Sequence, residues 1–152
     1  KKLPTDLSEE RKQVVLTAYQ LLGKVNYFWG GKSNAIGWDS RWGTMQKVTA
    51  PGNQTTGTYR PYGLDCSGFV DWVFNNALGY KPGHGGGAAS QHDYCTPVSW
   101  ADAQPGDLIC YGGHVAIYMG NGQIVHASNS RDGIKISNDA TYRTILSVRR
   151  PS

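Results

Sequence analysis

The stretch His114-Val115-Ala116-Ile117-Tyr118-Met119-Gly120-Asn121-Gly122-Gln123-Ile124-Val125-His126-Ala127-Ser128 decides the fold. Two apolar runs flank a Gly-Asn-Gly triplet, the pattern of two antiparallel strands joined by a tight turn. Register is the question, because a slip of one residue moves every side chain to the other face. A two-residue loop puts His114 and His126 on opposite faces. A three-residue loop, Gly120-Asn121-Gly122, sets Met119 opposite Gln123, Ala116 opposite His126 and His114 opposite Ser128. Both imidazoles then share a face, about 7–8 Å apart at the backbone. The opposite face carries Val115, Ile117, Met119, Val125 and Ala127, a set fit for a core. The apolar pattern therefore favours the register that unites the two histidines.

Outward from this hairpin, Asp107–Tyr111, Ile134–Ile136 and Ile145–Arg149 read as further short strands. Upstream the period changes to helical. Val15, Tyr19 and Leu22 mark a helix from about Leu7 to Leu22, with Asp6 as N-cap, Glu9 completing a capping box and Gly23 as the stop. Phe69, Val70, Val73, Phe74 and Ala77 mark a second, from Ser67 to Leu78, ended by Gly79. Helices first and consecutive strands after give an α+β fold with an antiparallel sheet. Residues 32–62 show little periodicity, although Trp38 and Trp42 lie within them. A stretch of that length is more often functional than structural. Residues 81–90 read as a flexible loop; their glycines lack the Gly-Lys-Ser/Thr ending of a phosphate cradle.

Composition bounds the function. The 152 residues suit one domain, and 20 of them are glycine, which favours tight turns over long surface helices. No apolar run is long enough for a membrane span. The net charge of +4 is weak, with Lys1, Lys2, Arg11, Lys12, Arg149 and Arg150 near the ends. It suits solubility, with at most a mild attraction to an anionic polymer, and nothing resembles a nucleic-acid stripe. The chain starts at Lys1 with no signal peptide, as an excised domain or a mature product would. The 3 cysteines are an odd number, so at least one sulfur is free, paired elsewhere or chemically employed.

Cys66, in Asp65-Cys66-Ser67-Gly68, stands at the start of the second helix. Unpaired N–H groups and the positive dipole end favour an anion there, so a lowered thiol pKa is expected. A nucleophilic cysteine wants a base, and the base wants an orienter. Of the four histidines, His84 lies in the glycine loop and His92 has no distinguishing context. His114 and His126 lie together on the hairpin. Zinc would announce itself by close ligand pairs, which Cys66, Cys95 and Cys110 do not form. A serine hydrolase would need a Gly-x-Ser-x-Gly elbow, and none occurs.

These segments resemble the NlpC/P60 cysteine peptidases. The resemblance rests on Asp65-Cys66-Ser67-Gly68-Phe69-Val70, Gly113-His114-Val115-Ala116-Ile117-Tyr118 and Val125-His126-Ala127. Tyr27-Phe28-Trp29-Gly30-Gly31 and the Gln104-Pro105-Gly106-Asp107-Leu108 lead-in support it. It covers roughly residues 12 to 149. It implies a papain-like α+β core, helices packed on a central antiparallel sheet, as one catalytic domain over residues 1–152. It implies hydrolysis of peptidoglycan stem peptides between γ-D-glutamyl and a diamino acid, by a secreted or wall-associated enzyme without metal or cofactor; a monomer is the default for a lone domain. Carried over, Cys66 is the nucleophile, His114 the base and His126 its orienter. Tyr27 supports the oxyanion, and Asp65 and Ser67 contact the stem peptide.

The sequence departs from the family between its Trp-Gly-Gly and Asp-Cys-Ser-Gly segments, where an insertion spans about 32–64. Trp38, Trp42, Tyr59 or Tyr62 would wall the substrate groove, or the insertion is an inert elaboration. No SH3-like or LysM-like module is visible. A wall-binding module without turnover and a papain-like thiol amidase cutting at N-acetylmuramoyl-L-Ala are the rival readings. With Cys66 set aside, Cys95 and Cys110 either close a disulfide or stay buried thiols.

Overall fold

The computed structural model describes residues 8–151. Helix α1 spans Glu9–Tyr19, and its N-cap is Ser8, whose hydroxyl accepts from the Arg11 N–H. It is shorter than Leu7–Leu22. Asp6 lies outside the described residues. Past Tyr19 the N–H groups of Gln20, Leu21 and Leu22 bond three residues back, so the end tightens before Gly23. Strand β1 (Asn26–Tyr27) follows.

Segment 32–64 is more ordered than its composition suggests. It holds a hairpin of β2 (Met45–Lys47) and β3 (Tyr59–Pro61), with Met45 opposite Pro61. No periodicity betrays it, because each strand has three residues and none is fully buried. Strand β4 (Gly63–Leu64) then pairs in parallel with β1. A Cβ on Gly63 would lie 1.8 Å from the Asn26 carbonyl oxygen, so the two backbones approach this closely only because residue 63 is glycine.

Helix α2 spans Cys66–Leu78. Asp65 caps it, accepting the Gly68 N–H at 2.7 Å, and Gly79 ends it at φ +82°. Residues Cys66 to Phe74 are all buried, the signature of a central helix rather than a surface one. Helix α3 (Ala88–Tyr94) begins inside the expected 81–90 loop, and strand β5 (Thr96–Val98) follows where no element was expected. A fully buried side chain ties α3 down: Gln91 Nε2 donates to the Ser67 carbonyl at 2.8 Å and to Asp71 at 3.0 Å.

Five strands complete the main sheet: β6 (Leu108–Tyr111), β7 (His114–Gly120), β8 (Gln123–Ala127), β9 (Ile134–Ser137) and β10 (Ser147–Arg150). The spatial order is β5-β10-β6-β7-β8-β9, antiparallel throughout. The turn between β7 and β8 corrects the expected loop. Gly120, not Met119, lies opposite Gln123, so the loop has two residues, Asn121 and Gly122, both at positive φ. An irregularity between Tyr118 and Gly120 absorbs one residue. Ile117 opposite Val125 and Tyr118 opposite Ile124 then follow the expected even register.

Val115, Ile117, Met119, Val125 and Ala127 form one core with Val14 and Ala18 of α1 and Phe69, Val70 and Val73 of α2. Each large side chain among them contributes about 1.5–3 kcal/mol by leaving water. The other sheet face buries Ile109, Tyr111, Ala116, Tyr118, Ile124 and Val148, with Ala140 from a 3₁₀ turn over it. Away from these layers, the fully buried Asp107 accepts from Arg11 at 3.0 Å and from Arg150 at 2.8 and 2.9 Å, which fastens α1 and β10 to the start of β6.

Candidate active site

The start of α2, the start of β7 and the end of β8 meet at one place. Cys66 is the first residue of α2 and is 7% exposed. The backbone N–H groups of Val115 and Ser67 lie where they favour negative charge on its sulfur. Val115 directly follows His114, so helix and strand meet beside the imidazole. Gly68 lets the chain at Gly31 come close to the same helix start: a Cβ there would lie 2.2 Å from the Gly31 carbonyl oxygen.

The two imidazoles are in contact. His114 Nε2 and His126 Nδ1 lie 2.8 Å apart, and His126 Nε2 is 2.9 Å from Ser137 Oγ. Both rings are buried, and burial pushes their pKa values down, to about 4 for His114 and about 3 for His126. Arg143 adds to the shift at His114; His114, Lys135 and Arg143 add to it at His126. Both rings are neutral at pH 7. With a proton on His114 Nε2 donated to His126, and one on His126 Nε2 donated to Ser137, His114 Nδ1 is left as a free acceptor.

The expected low thiol pKa is corrected. Burial, then the Asp65 carboxylate, push the Cys66 thiol up, against the Val115 and Ser67 N–H groups and the Lys32 charge. Desolvation outweighs the stabilising donors, so the resting sulfur is a neutral thiol. Burial, then Cys66 and Asp65, likewise raise the Tyr27 phenol, which stays protonated and able to donate. Tyr27 reaches this region because β1 lies beside β4, which leads into Asp65.

Asp65 and Ser67 belong to a cluster with a residue the sequence reading passed over. Lys32 Nζ donates to both Asp65 oxygens, at 2.9 and 3.0 Å, and to Ser67 Oγ at 2.7 Å. The signal was its place directly after Gly30-Gly31. The two tryptophans touch edge to face at 4.9 Å but differ in exposure. Trp38 is 56% exposed, whereas Trp42 is 6% exposed and packs edge-on against Trp72 at 5.8 Å. Trp42 thus anchors segment 32–64 to α2. Trp38 keeps a face for solvent, Tyr59 is exposed, and Tyr62 bonds the Lys32 backbone.

The other histidines stand apart from this network. His84 stacks on Tyr94 at 3.9 Å, and His92 is held by Arg149 at 2.8 Å. A cavity of about 290 Å³ opens beside His114, between His92 and Leu146. Cys95 and Cys110 are separate buried thiols, pushed by burial up to about 11 and about 12. Among the described residues no group of three or more His, Cys, Asp or Glu converges as a metal would need, and no helix is long and apolar enough to cross a membrane.

Comparisons with known proteins bear on the family and the fold. The NlpC/P60 family profile matches residues 23–148. The chain is 38% identical over 89 residues to a probable endopeptidase p60 of Listeria grayi, a match over 55% of this chain and 16% of that protein. It is 38% identical over 80 residues to a gamma-DL-glutamyl hydrolase of Bacillus subtilis, over 50% of this chain and 18% of that protein. Both matches thus span under a fifth of the relative's length. The NlpC/p60 domain of the peptidoglycan hydrolase SagA superposes with a TM-score of 0.65 at 26% identity, covering 91% of this chain and 97% of that one. The α+β core with its antiparallel sheet is the architecture of these domains.

Proposed function

Because the chain belongs to the NlpC/P60 family, we propose that it is a cysteine endopeptidase of peptidoglycan stem peptides, cutting between γ-D-glutamyl and the diamino acid. One observation carries the assignment of roles: His114 bonds His126 at 2.8 Å, while the backbone N–H of the next residue, Val115, favours charge on the Cys66 sulfur. This supports reading Cys66 as nucleophile, His114 as base and His126 as its orienter.

The resting pair is a neutral thiol and a neutral imidazole. His114 Nδ1 takes the Cys66 proton as the sulfur attacks the amide carbonyl carbon. The imidazolium that forms is held through its Nε2–H by His126, which Ser137 orients in turn. The Cys66 N–H, one of the free donors of the helix start, and the Tyr27 hydroxyl receive the developing oxyanion. His114 returns the proton to the departing amine, leaving a thioester. It then takes a proton from water, which attacks the thioester and frees the carboxylate and the thiol. No step calls for a metal or cofactor.

Asp65 and Ser67 line the approach to the nucleophile, and the exposed Trp38 of the insertion walls the groove, a reading its exposure supports. The protein acts as one catalytic domain, a monomer at the cell wall or outside the cell. Incubation with purified peptidoglycan or a defined tetrapeptide stem, followed by mass spectrometry, tests the reading. Fragments ending in γ-D-Glu are expected. Cleavage between N-acetylmuramic acid and L-Ala would make it an amidase, and binding without cleavage a wall-binding module. Cys66→Ala should abolish turnover and leave the circular dichroism spectrum unchanged; a variant that cuts as fast as the parent would overturn the mechanism.

A further inference from the structure

Lys32 has no part in the proton transfers above, yet segment 32–64 holds its backbone at several points. Tyr62 Oη accepts its N–H at 3.2 Å and donates to its carbonyl at 3.0 Å. Arg41 Nη2 donates to the same carbonyl at 3.1 Å. Arg41 is itself fixed on Asp39 at 2.6 Å, and Asp39 accepts from Ser33 at 2.7 Å. The side chain these contacts aim ends on the residues either side of the nucleophile: Asp65 before it and Ser67 after it.

The charges facing Cys66 are few. Asp65 faces it from the cap of α2 and Lys32 from segment 32–64. Tyr27, from β1, is a neutral phenol, and His114, at the start of β7, is a neutral imidazole. An unopposed Asp65 carboxylate would set a full negative charge beside a buried sulfur that must become negative. Lys32 is the cation in contact with that carboxylate.

We propose that Lys32 is a positioning residue for the nucleophile: its ammonium cancels the Asp65 charge and fixes the Asp65–Ser67 pair, so that the Cys66 thiolate can form under neutral conditions. This rests on Cys66 being the nucleophile. Segment 32–64 thereby gains a task inside the site, as the brace that sets Lys32 in place.

The test reads the thiol directly and does not require peptide cleavage. Iodoacetamide alkylation of Cys66 is followed against pH by mass spectrometry of its peptide, in the parent, Lys32→Met, Lys32→Arg and Lys32→Met with Asp65→Asn. An opposing charge within a few ångströms shifts a titration by about one to three units, so Lys32→Met should alkylate at least about tenfold more slowly at pH 7, with its profile moved to higher pH. Lys32→Arg should stay near the parent. The double variant should recover most of the lost rate, because Asn keeps the helix cap and removes the charge that Lys32 cancels. A Lys32→Met profile that overlies the parent's, or a double variant as slow as the single one, would overturn the proposal. A shifted profile in a protein that cleaves no stem peptide would leave Lys32's role standing and sink the peptidase reading.

Discussion

The buried imidazole pair makes stability depend on pH below neutrality. His114 and His126 titrate at about 4 and about 3 in the folded protein and near 6.5 in the unfolded chain. Below pH 6.5 the unfolded chain binds protons that the folded state refuses, so stability falls as pH falls. Between pH 7.5 and pH 5 each imidazole costs about 2 kcal/mol, and the pair about 4 kcal/mol. The carboxylates held low by their arginine partners, Asp39 and Asp107, stay ionised in both states over that window and add almost nothing. Substituting His126→Asn keeps a hydrogen-bonding side chain beside His114 and removes one titrating group. Urea unfolding at pH 7.5 and pH 5 should show the parent losing about 4 kcal/mol and the variant about half of that. If the two proteins lose the same amount, the pair is not buried neutral, and the picture of His114 as a ready base at pH 7 fails with it.

Three further outcomes follow from packing and charge. Trp42→Ala should cost about 3–5 kcal/mol in chemical denaturation, because it removes a buried ring from its contact with Trp72. Trp38→Ala should leave stability nearly unchanged and, if Trp38 walls the groove, should raise KM more than it lowers kcat. Asp107→Asn leaves Arg11 and Arg150 without their buried carboxylate and should cost about 3 kcal/mol or more, visible as a large drop in melting temperature.

The sheet was legible because its strands alternate, and α2 because its apolar stripe runs between Asp65 and Gly79. The histidine pair was legible for a related reason: only one register buries Val115, Ile117 and Val125 together. The turn was misread because the irregularity near Met119 restores that register after a two-residue loop, and apolar spacing cannot distinguish the two routes. The β2–β3 hairpin, α3 and β5 escaped because they are short and their apolar faces are incomplete. α3 is fastened by a polar residue, Gln91, through hydrogen bonds that no periodicity encodes. The thiol's titration was misjudged in sign. The helix start was visible in the sequence, but the depth of burial that outweighs it was not. Lys32 lay one residue beyond the glycine pair, and only the folded chain shows it reaching Asp65.

The meeting of α2 with β7 also bears on how the site comes into being. His114 and His126 sit on one hairpin and can find each other through local pairing. Cys66 comes from an element far upstream and reaches them only when the helix docks against the sheet. Local contacts form ahead of distant ones because they close shorter loops. A chain caught midway through folding would therefore carry a base with no nucleophile beside it. Recovery of hydrolysis during refolding should lag behind hairpin formation and keep pace with the docking of α2.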